Sequence, residues 1–80
     1  MFGGFAGIER EMIMTKITAT SRAMAAYCEK LLLWDKAAEY WQQAIDLYPD
    51  SGKGALAKLD LERLAARRDA NRAMAKQEAA

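Results

Sequence analysis

The sequence predicts an all-α protein, a small three-helix domain. Alanine, the residue with the highest helix propensity, is abundant, and glycine and proline occur only within residues 1–7 and 49–54. Between these breaks the apolar residues recur at helical spacing and do not alternate as in a strand. We therefore expect helices at about residues 21–33, 35–48 and 54–75. A chain of 80 residues forms one domain of this kind.

Residues 1–20 are predicted to be an N-terminal extension, and residues 21–80 the three-helix domain. The opening MFGGFAG lacks a basic n-region and a long apolar core, so it is not typical of a secretory signal. Met14 begins a stretch that resembles an ordinary protein start. Residues 1–13 are then either an upstream extension or a short arm that docks Phe2 or Phe5 on the domain.

The first predicted helix begins after Thr20 or Ser21, which are both N-cap residue types. Its apolar residues cover about half of the helix circumference. They are Ala23, Met24, Tyr27, Cys28, Leu31 and Leu32. Since Cys28 lies on this apolar face, we expect it to be a small buried side chain and not a nucleophile.

The second predicted helix is capped by Asp35 and ends before Pro49, because proline disfavours helical geometry in the residue that precedes it. Its apolar arc is wider than a seam that meets a single neighbour, so the helix should touch two surfaces. Its central positions are Ala37, Trp41, Ala44 and Tyr48, flanked on one side by Tyr40 and Leu47. We expect Trp41 and Tyr48 in the core, whereas Trp34 and Tyr40 suit either the core or a binding surface.

The third predicted helix should pack over residues 55–66 and be solvated from about residue 67. Four arginines, Arg63, Arg67, Arg68 and Arg72, are spaced to form a basic strip along it. One interpretation is contact with phosphates or with an acidic protein surface. The other is a solvated helix end whose cations suit the helix dipole and pair locally.

Composition argues against several classes of function. The net charge is +1, there is no histidine, and a single cysteine allows no intramolecular disulfide. We find no zinc-ligand spacing and no phosphate-binding loop, so we expect no metal, no cofactor and no enzymatic activity. No apolar run reaches the ~18–20 residues of a membrane span. These observations favour a cytoplasmic protein that acts by binding.

Two families share residue patterns with this chain. Ala37, Trp41, Ala44 and Pro49, with Trp34 ahead of them, resemble the second helix of one tetratricopeptide repeat. This resemblance implies a closely packed helical hairpin, not a solenoid, because no second copy of the repeat is present.

The second pattern extends over residues 23–48. It consists of Ala25, Ala26, Glu29, Trp34, Ala37, Ala38, Trp41 and Ala44. The segment resembles the AraC negative regulators, the ANR family of small bacterial proteins, and more distantly the PerC-type regulators. That resemblance implies a short all-helical protein, often encoded on a phage or plasmid. It implies binding to AraC-type transcription activators and blocking of their dimerisation or DNA binding.

The sequence thus favours a non-enzymatic, protein-binding regulator that inhibits a bacterial transcription activator by steric occlusion. The predicted apolar contact residues are Tyr27, Leu31, Trp34, Tyr40 and Leu47, and the predicted charged rim is Arg63, Arg67 and Arg72. An antagonist of another host protein, a nucleic-acid-binding regulator that uses the third helix and a self-associating bundle are the alternatives. All protein-binding versions require apolar side chains that the three helices leave exposed.

Overall fold

The computed structural model describes residues 3–49 and 54–79, and of residues 3–11 and 14 the backbone alone. Three α-helices make up nearly all of this part of the chain: α1 (Gly3–Lys30), α2 (Trp34–Asp46) and α3 (Ala55–Ala79). The predicted all-α, three-helix class is confirmed. The suggested docking of Phe2 or Phe5 concerns side chains outside the described residues.

The predicted start of the first helix is wrong, because α1 begins at Gly3 and runs through the stretch expected to be an extension. The two predicted cap residues, Thr20 and Ser21, both lie within α1, and Ser21 is buried there together with Thr18. Their hydroxyl groups find partners on α2, since Thr18 donates to the Leu47 carbonyl at 2.9 Å and Ser21 donates to Gln43 Oε1 at 3.0 Å. A hydroxyl that is satisfied across an interface has no need to cap a helix.

The turn after α1 places Leu32 in the left-handed region, at φ 60°. The Leu33 amide donates to the Cys28 carbonyl at 2.9 Å and the Leu32 amide to the Glu29 carbonyl at 3.0 Å. This is the Schellman arrangement that ends many helices, with leucine where glycine is usual. Leu33 is then the N-cap of α2 and makes no side-chain cap, so the prediction of Asp35 as the cap is wrong.

The three helices run up, down and up, and α2 packs against both of its neighbours. This confirms the two-sided contact predicted from its wide apolar arc. Small residues let the helices approach closely, and one large ring fills the space between them. The core cluster is Ala25, Cys28, Ala37, Trp41, Ala44 and Leu64. Burial of Cys28 and Trp41 is as predicted, while Tyr48 is half-buried at the edge of this cluster.

The solvated end predicted for the third helix is partly right, because most residues from Arg67 to Ala79 are exposed. α3 continues to Ala79, and Asn71 is only 3% exposed. Leu64 and Asn71 lie seven residues apart and therefore on the same side of the helix, which packs on the rest of the domain well beyond residue 67. No helix in the described part of the chain is both long and apolar enough to cross a membrane.

Candidate protein-binding surface

One side of α1 carries a continuous line of mainly apolar side chains that no other helix covers. The residues of this α1 stripe are Ile13, Ile17, Thr20, Met24, Tyr27 and Leu31. Successive members are four or three residues apart, which is the spacing of the contact positions in a coiled coil. All six are exposed, and Tyr27 and Leu31 keep 56% and 51% of their surface accessible. Helix α2 packs on the adjacent face of α1, so the stripe remains open to solvent.

An open groove runs between the α1 stripe and α2. It has a volume of about 260 Å³ and is lined by Lys16, Ile17, Thr20, Ser21, Met24, Tyr40 and Gln43. Tyr40 is half-buried against the core cluster and also contributes to the wall of this α1–α2 groove. The volume is below that of a typical small-molecule pocket but suits a few protruding side chains.

Exposed leucines continue from the stripe into the turn that follows α1. Leu32 and Leu33 are 59% and 44% exposed. Together with Leu31 they form three consecutive apolar side chains at the corner between α1 and α2. A surface of this kind, with neighbouring large apolar residues, is typical of a protein-interaction site.

The predicted apolar contact residues do not all lie together. Tyr27 and Leu31 belong to the stripe and Tyr40 to the groove beside it. Trp34 lies near the end of α3, where its indole Nε1 donates to Glu78 Oε1 at 3.0 Å. Leu47 is half-buried at the C-cap of α2, where its carbonyl accepts the Thr18 hydroxyl.

The four arginines do not form the single basic strip predicted from their spacing. Each residue of a helix is rotated by about 100° from the one before, so Arg63 and Arg72 point to opposite sides. Arg67 pairs with Glu29 of α1, and Arg68 Nη1 donates to Gln42 Oε1 at 2.9 Å. Arg67 and Arg68 are therefore tied to α1 and α2 and do not form an open rim.

Arg72 lines a different surface, an open depression of about 870 Å³ along the polar face of α2. This depression also contains the carboxylates of Asp35, Glu39 and Asp46. Because three acidic residues line the same depression as the arginine, it is a poor site for nucleic-acid phosphates. Arg63 is exposed elsewhere on α3.

Glu29 organises a polar cluster that the sequence pattern did not reveal. Its carboxylate accepts hydrogen bonds from Trp41 Nε1 at 3.2 Å and Asn71 Nδ2 at 2.6 Å, and it pairs with Arg67. The Asn71 amide also donates to the Arg67 carbonyl at 2.7 Å. With its oxygens so occupied, this carboxylate joins the three helices.

The described residues contain no group of three or more histidine, cysteine or acidic side chains that could hold a metal ion. Comparison with protein-family models, curated proteins and solved structures finds no match for this chain. The resemblance to the AraC negative regulators therefore depends on the residue pattern alone. Several positions of that pattern are packing positions, since Ala25, Ala37, Trp41 and Ala44 are all buried.

Proposed function

We propose that this chain is a small non-enzymatic regulator that binds another protein through the α1 stripe and the leucines of the following turn. The observation that carries this proposal is the exposure of neighbouring large apolar side chains: Tyr27, Leu31, Leu32 and Leu33 each keep more than two-fifths of their surface accessible. Exposure of such a patch to water is unfavourable, and its burial in an interface with another protein lowers the free energy. Tyrosine is also among the residue types that contribute most to binding interfaces.

The conformation of Leu32 supports the same surface. A non-glycine residue in the left-handed region is disfavoured by about 1–2 kcal/mol. Glycine would relieve that strain, yet the position holds a leucine that is 59% exposed and so adds little to the core. A residue that is less favourable for stability than glycine is expected at such a position when its side chain serves binding.

The proposed target is a bacterial transcription activator of the AraC type, inhibited by steric occlusion of its dimerisation or DNA-binding surface. Support comes from the residue pattern shared with the AraC negative regulators. Such an inhibitor would act in the bacterial cytoplasm and would be encoded on a phage or plasmid. Another host protein bound through the same surface is the variant of this proposal.

A nucleic-acid-binding role for α3 has less support. Two of its four arginines, Arg67 and Arg68, are engaged by Glu29 and Gln42, and Arg72 lies beside acidic residues of α2. Phosphate binding requires several cations that are available together on one surface. We therefore expect no measurable affinity for duplex DNA at about 50 mM salt, where electrostatic binding is strong.

The experiment measures binding of the purified chain to a panel of purified AraC-type activators, together with the occupancy of their promoter DNA. The test variant combines Tyr27→Ala and Leu31→Ala. The matched control combines Leu56→Ala and Leu59→Ala, which removes two exposed leucines from α3. We expect the test variant to bind an activator at least about 30-fold more weakly, corresponding to a loss of about 2 kcal/mol.

The control should bind like the wild type and should reduce promoter occupancy equally. Equal binding by the two variants would exclude the α1 stripe as the binding surface. The proposed target would be contradicted if the wild-type chain bound none of the activators in the panel. It would also be contradicted if the chain bound the promoter DNA but no activator.

A further inference from the structure

We propose that the α1 stripe and the α1–α2 groove bind a single amphipathic helix of the partner, with acidic residues beside its apolar positions. This inference rests on the proposed function and specifies the chemistry of the partner. Helix-in-groove binding requires a line of contact positions and a depression that admits side chains, and both are present here. Their dimensions and charges define the occupant.

The length of the stripe sets the length of the bound helix. Ile13 and Leu31 are 18 residues apart, which corresponds to ~27 Å along a straight helix. A partner helix of about five turns spans this distance. Because the contact positions of α1 follow the coiled-coil spacing, the partner should present apolar residues at the same alternating intervals of three and four.

The charges along the stripe are basic. Lys16 lines the groove itself, and Lys30 lies 14 residues further along, on the same side of α1. Both occupy the position that directly precedes a stripe residue, which in a coiled coil faces the flank of the partner helix. On α2, Lys36 and Glu39 carry opposite charges, and the groove wall itself consists of the uncharged Tyr40 and Gln43. Two lysines therefore favour a partner with glutamate or aspartate along its flank.

A second copy of this chain is a poor occupant for the same reason. In an antiparallel pair of α1 helices centred near Ala23, Lys16 of one copy lies beside Lys30 of the other, which is repulsive. In a parallel pair the residue that faces Lys16 is Ser21, which is already buried against α2, and the position that would face Lys30 lies beyond the end of α1. Within α1, neither orientation offers a carboxylate to Lys16 or Lys30.

The test uses two stapled helical peptides of about 21 residues as probes. They share leucines at the contact positions and differ only on the flanks, which carry glutamate in one peptide and lysine in the other. Fluorescence anisotropy of the labelled peptides, kept at nanomolar concentration to avoid self-association, reports binding to the full chain. We expect the glutamate peptide to bind at least about tenfold more tightly at about 50 mM salt, with a preference that shrinks as salt rises.

Charge reversal on the protein supplies the decisive comparison. The double variant Lys16→Glu with Lys30→Glu should prefer the lysine peptide. The control, Lys58→Glu with Lys76→Glu, makes the same change of net charge at two exposed residues of α3 and should keep the preference of the wild type. Circular dichroism verifies that both variants retain the helical fold.

Equal affinities for the two peptides, or the same preference in both variants, would overturn the inference. So would sedimentation that shows a dimer whose formation requires Tyr27 and Leu31. If an AraC-type activator binds through these residues but neither peptide does, the inference fails and the proposed function stands. If the glutamate peptide binds as expected and no activator does, the groove is correctly assigned and the proposed target is wrong.

Discussion

The guanidinium carbon of Arg67 lies 5.7 Å from the centroid of the Trp41 ring, so an arginine of α3 covers the large core ring of α2. The same arginine pairs with Glu29 of α1, and Glu29 accepts the indole N–H of Trp41. Each of the three residues comes from a different helix and contacts the other two. The triangle closes the core on the side where α1 and α3 meet, with the cation placed over the ring face.

Trp41 should therefore be the most sensitive position in the chain. Trp41→Ala leaves a cavity and removes one donor from Glu29, at an expected loss of about 3–5 kcal/mol. That loss equals the stability that a single core of this size supplies. We expect the variant to lose its helical circular-dichroism signal at 25 °C.

Trp34→Ala is the matched control, because it removes the same ring from a half-buried position whose indole bonds to the exposed Glu78. It should remain folded and lose less than about 1.5 kcal/mol in urea denaturation. The opposite order of stability would contradict the assignment of Trp41 to the core.

Two ion pairs join α1 to α3 with the same register. Arg22 pairs with Asp60 and Glu29 with Arg67, and each pair is separated by 38 residues. Along α1 the paired residues are a cation and then an anion, and along α3 they are an anion and then a cation. A shift of α3 by seven residues would therefore place arginine beside arginine or glutamate beside aspartate, so the pairs disfavour the neighbouring registers.

The coupling between Arg22 and Asp60 can be measured by exchanging the charges. Arg22→Asp alone places two carboxylates together and should cost about 1–2 kcal/mol. Adding Asp60→Arg restores opposite charges, and Tyr48 keeps a carboxylate to donate to, so at least half of the loss should be recovered. Additive losses in urea denaturation would show that the pair contributes nothing specific.

A pair of adjacent residues within α3 serves as the control for this cycle. Arg68 Nε donates to Asp69 Oδ1 at 3.0 Å on the surface of α3. The exchange also removes the hydrogen bond from Arg68 to Gln42, but that loss cancels in the double-mutant cycle. The remaining coupling should be below about 0.5 kcal/mol, because solvent screens the exposed Asp69 and the two paired residues belong to one helix.

Leu32→Gly should stabilise the chain, although it removes an apolar side chain. Glycine adopts the left-handed conformation of this position without strain, and little burial is lost from a residue that is 59% exposed. We expect a gain of about 0.5–1 kcal/mol in urea denaturation, and weaker binding to the proposed partner. Leu31→Gly, one residue earlier, lacks the conformational benefit and should lower stability.

Asn71→Asp tests the polar cluster around Glu29. The substitution conserves shape but places a carboxylate where an amide donates to Glu29 and to the Arg67 carbonyl. We expect a loss of about 2–3 kcal/mol at neutral pH, since a buried repulsion replaces a hydrogen bond. The loss should shrink on acidification, which protonates one of the two carboxylates. Gln77→Glu on the exposed surface of α3 adds the same charge and should show neither effect.

Local periodicity was sufficient for the three-helix class and for the burial of Trp41, because α2 has a strong amphipathic pattern. It failed at the start of α1. Ser21 looks like a capping residue in sequence, and only the Gln43 side chain, supplied by tertiary contact, allows its burial.

The candidate site shows the same limit. Tyr27 and Leu31 were identified from their spacing, but the stripe on which they lie begins within the predicted extension. Arg67 was expected at the rim of a binding surface. Its actual partner, Glu29, lies 38 residues away in the chain, and such a pairing is determined by how the helices pack. The pattern of one helix therefore could not reveal it.

Asp60 should make stability depend on acid pH. Hydrogen bonds from Arg22 lower the pKa of Asp60, and a further one comes from the Tyr48 hydroxyl at 2.7 Å. A carboxyl whose pKa is lower in the folded state stabilises the fold above its unfolded value, near 3.8, and this contribution is lost as pH falls through the folded pKa. We expect the free energy of unfolding to decline from about pH 5 to pH 2.

Asp60→Asn should lower stability at pH 7 by about 1 kcal/mol and flatten this decline. Tyr48→Phe keeps the ion pair between Arg22 and Asp60, so it should keep most of the decline in stability at acid pH. A decline of equal steepness in Asp60→Asn would assign the acid sensitivity to other carboxylates.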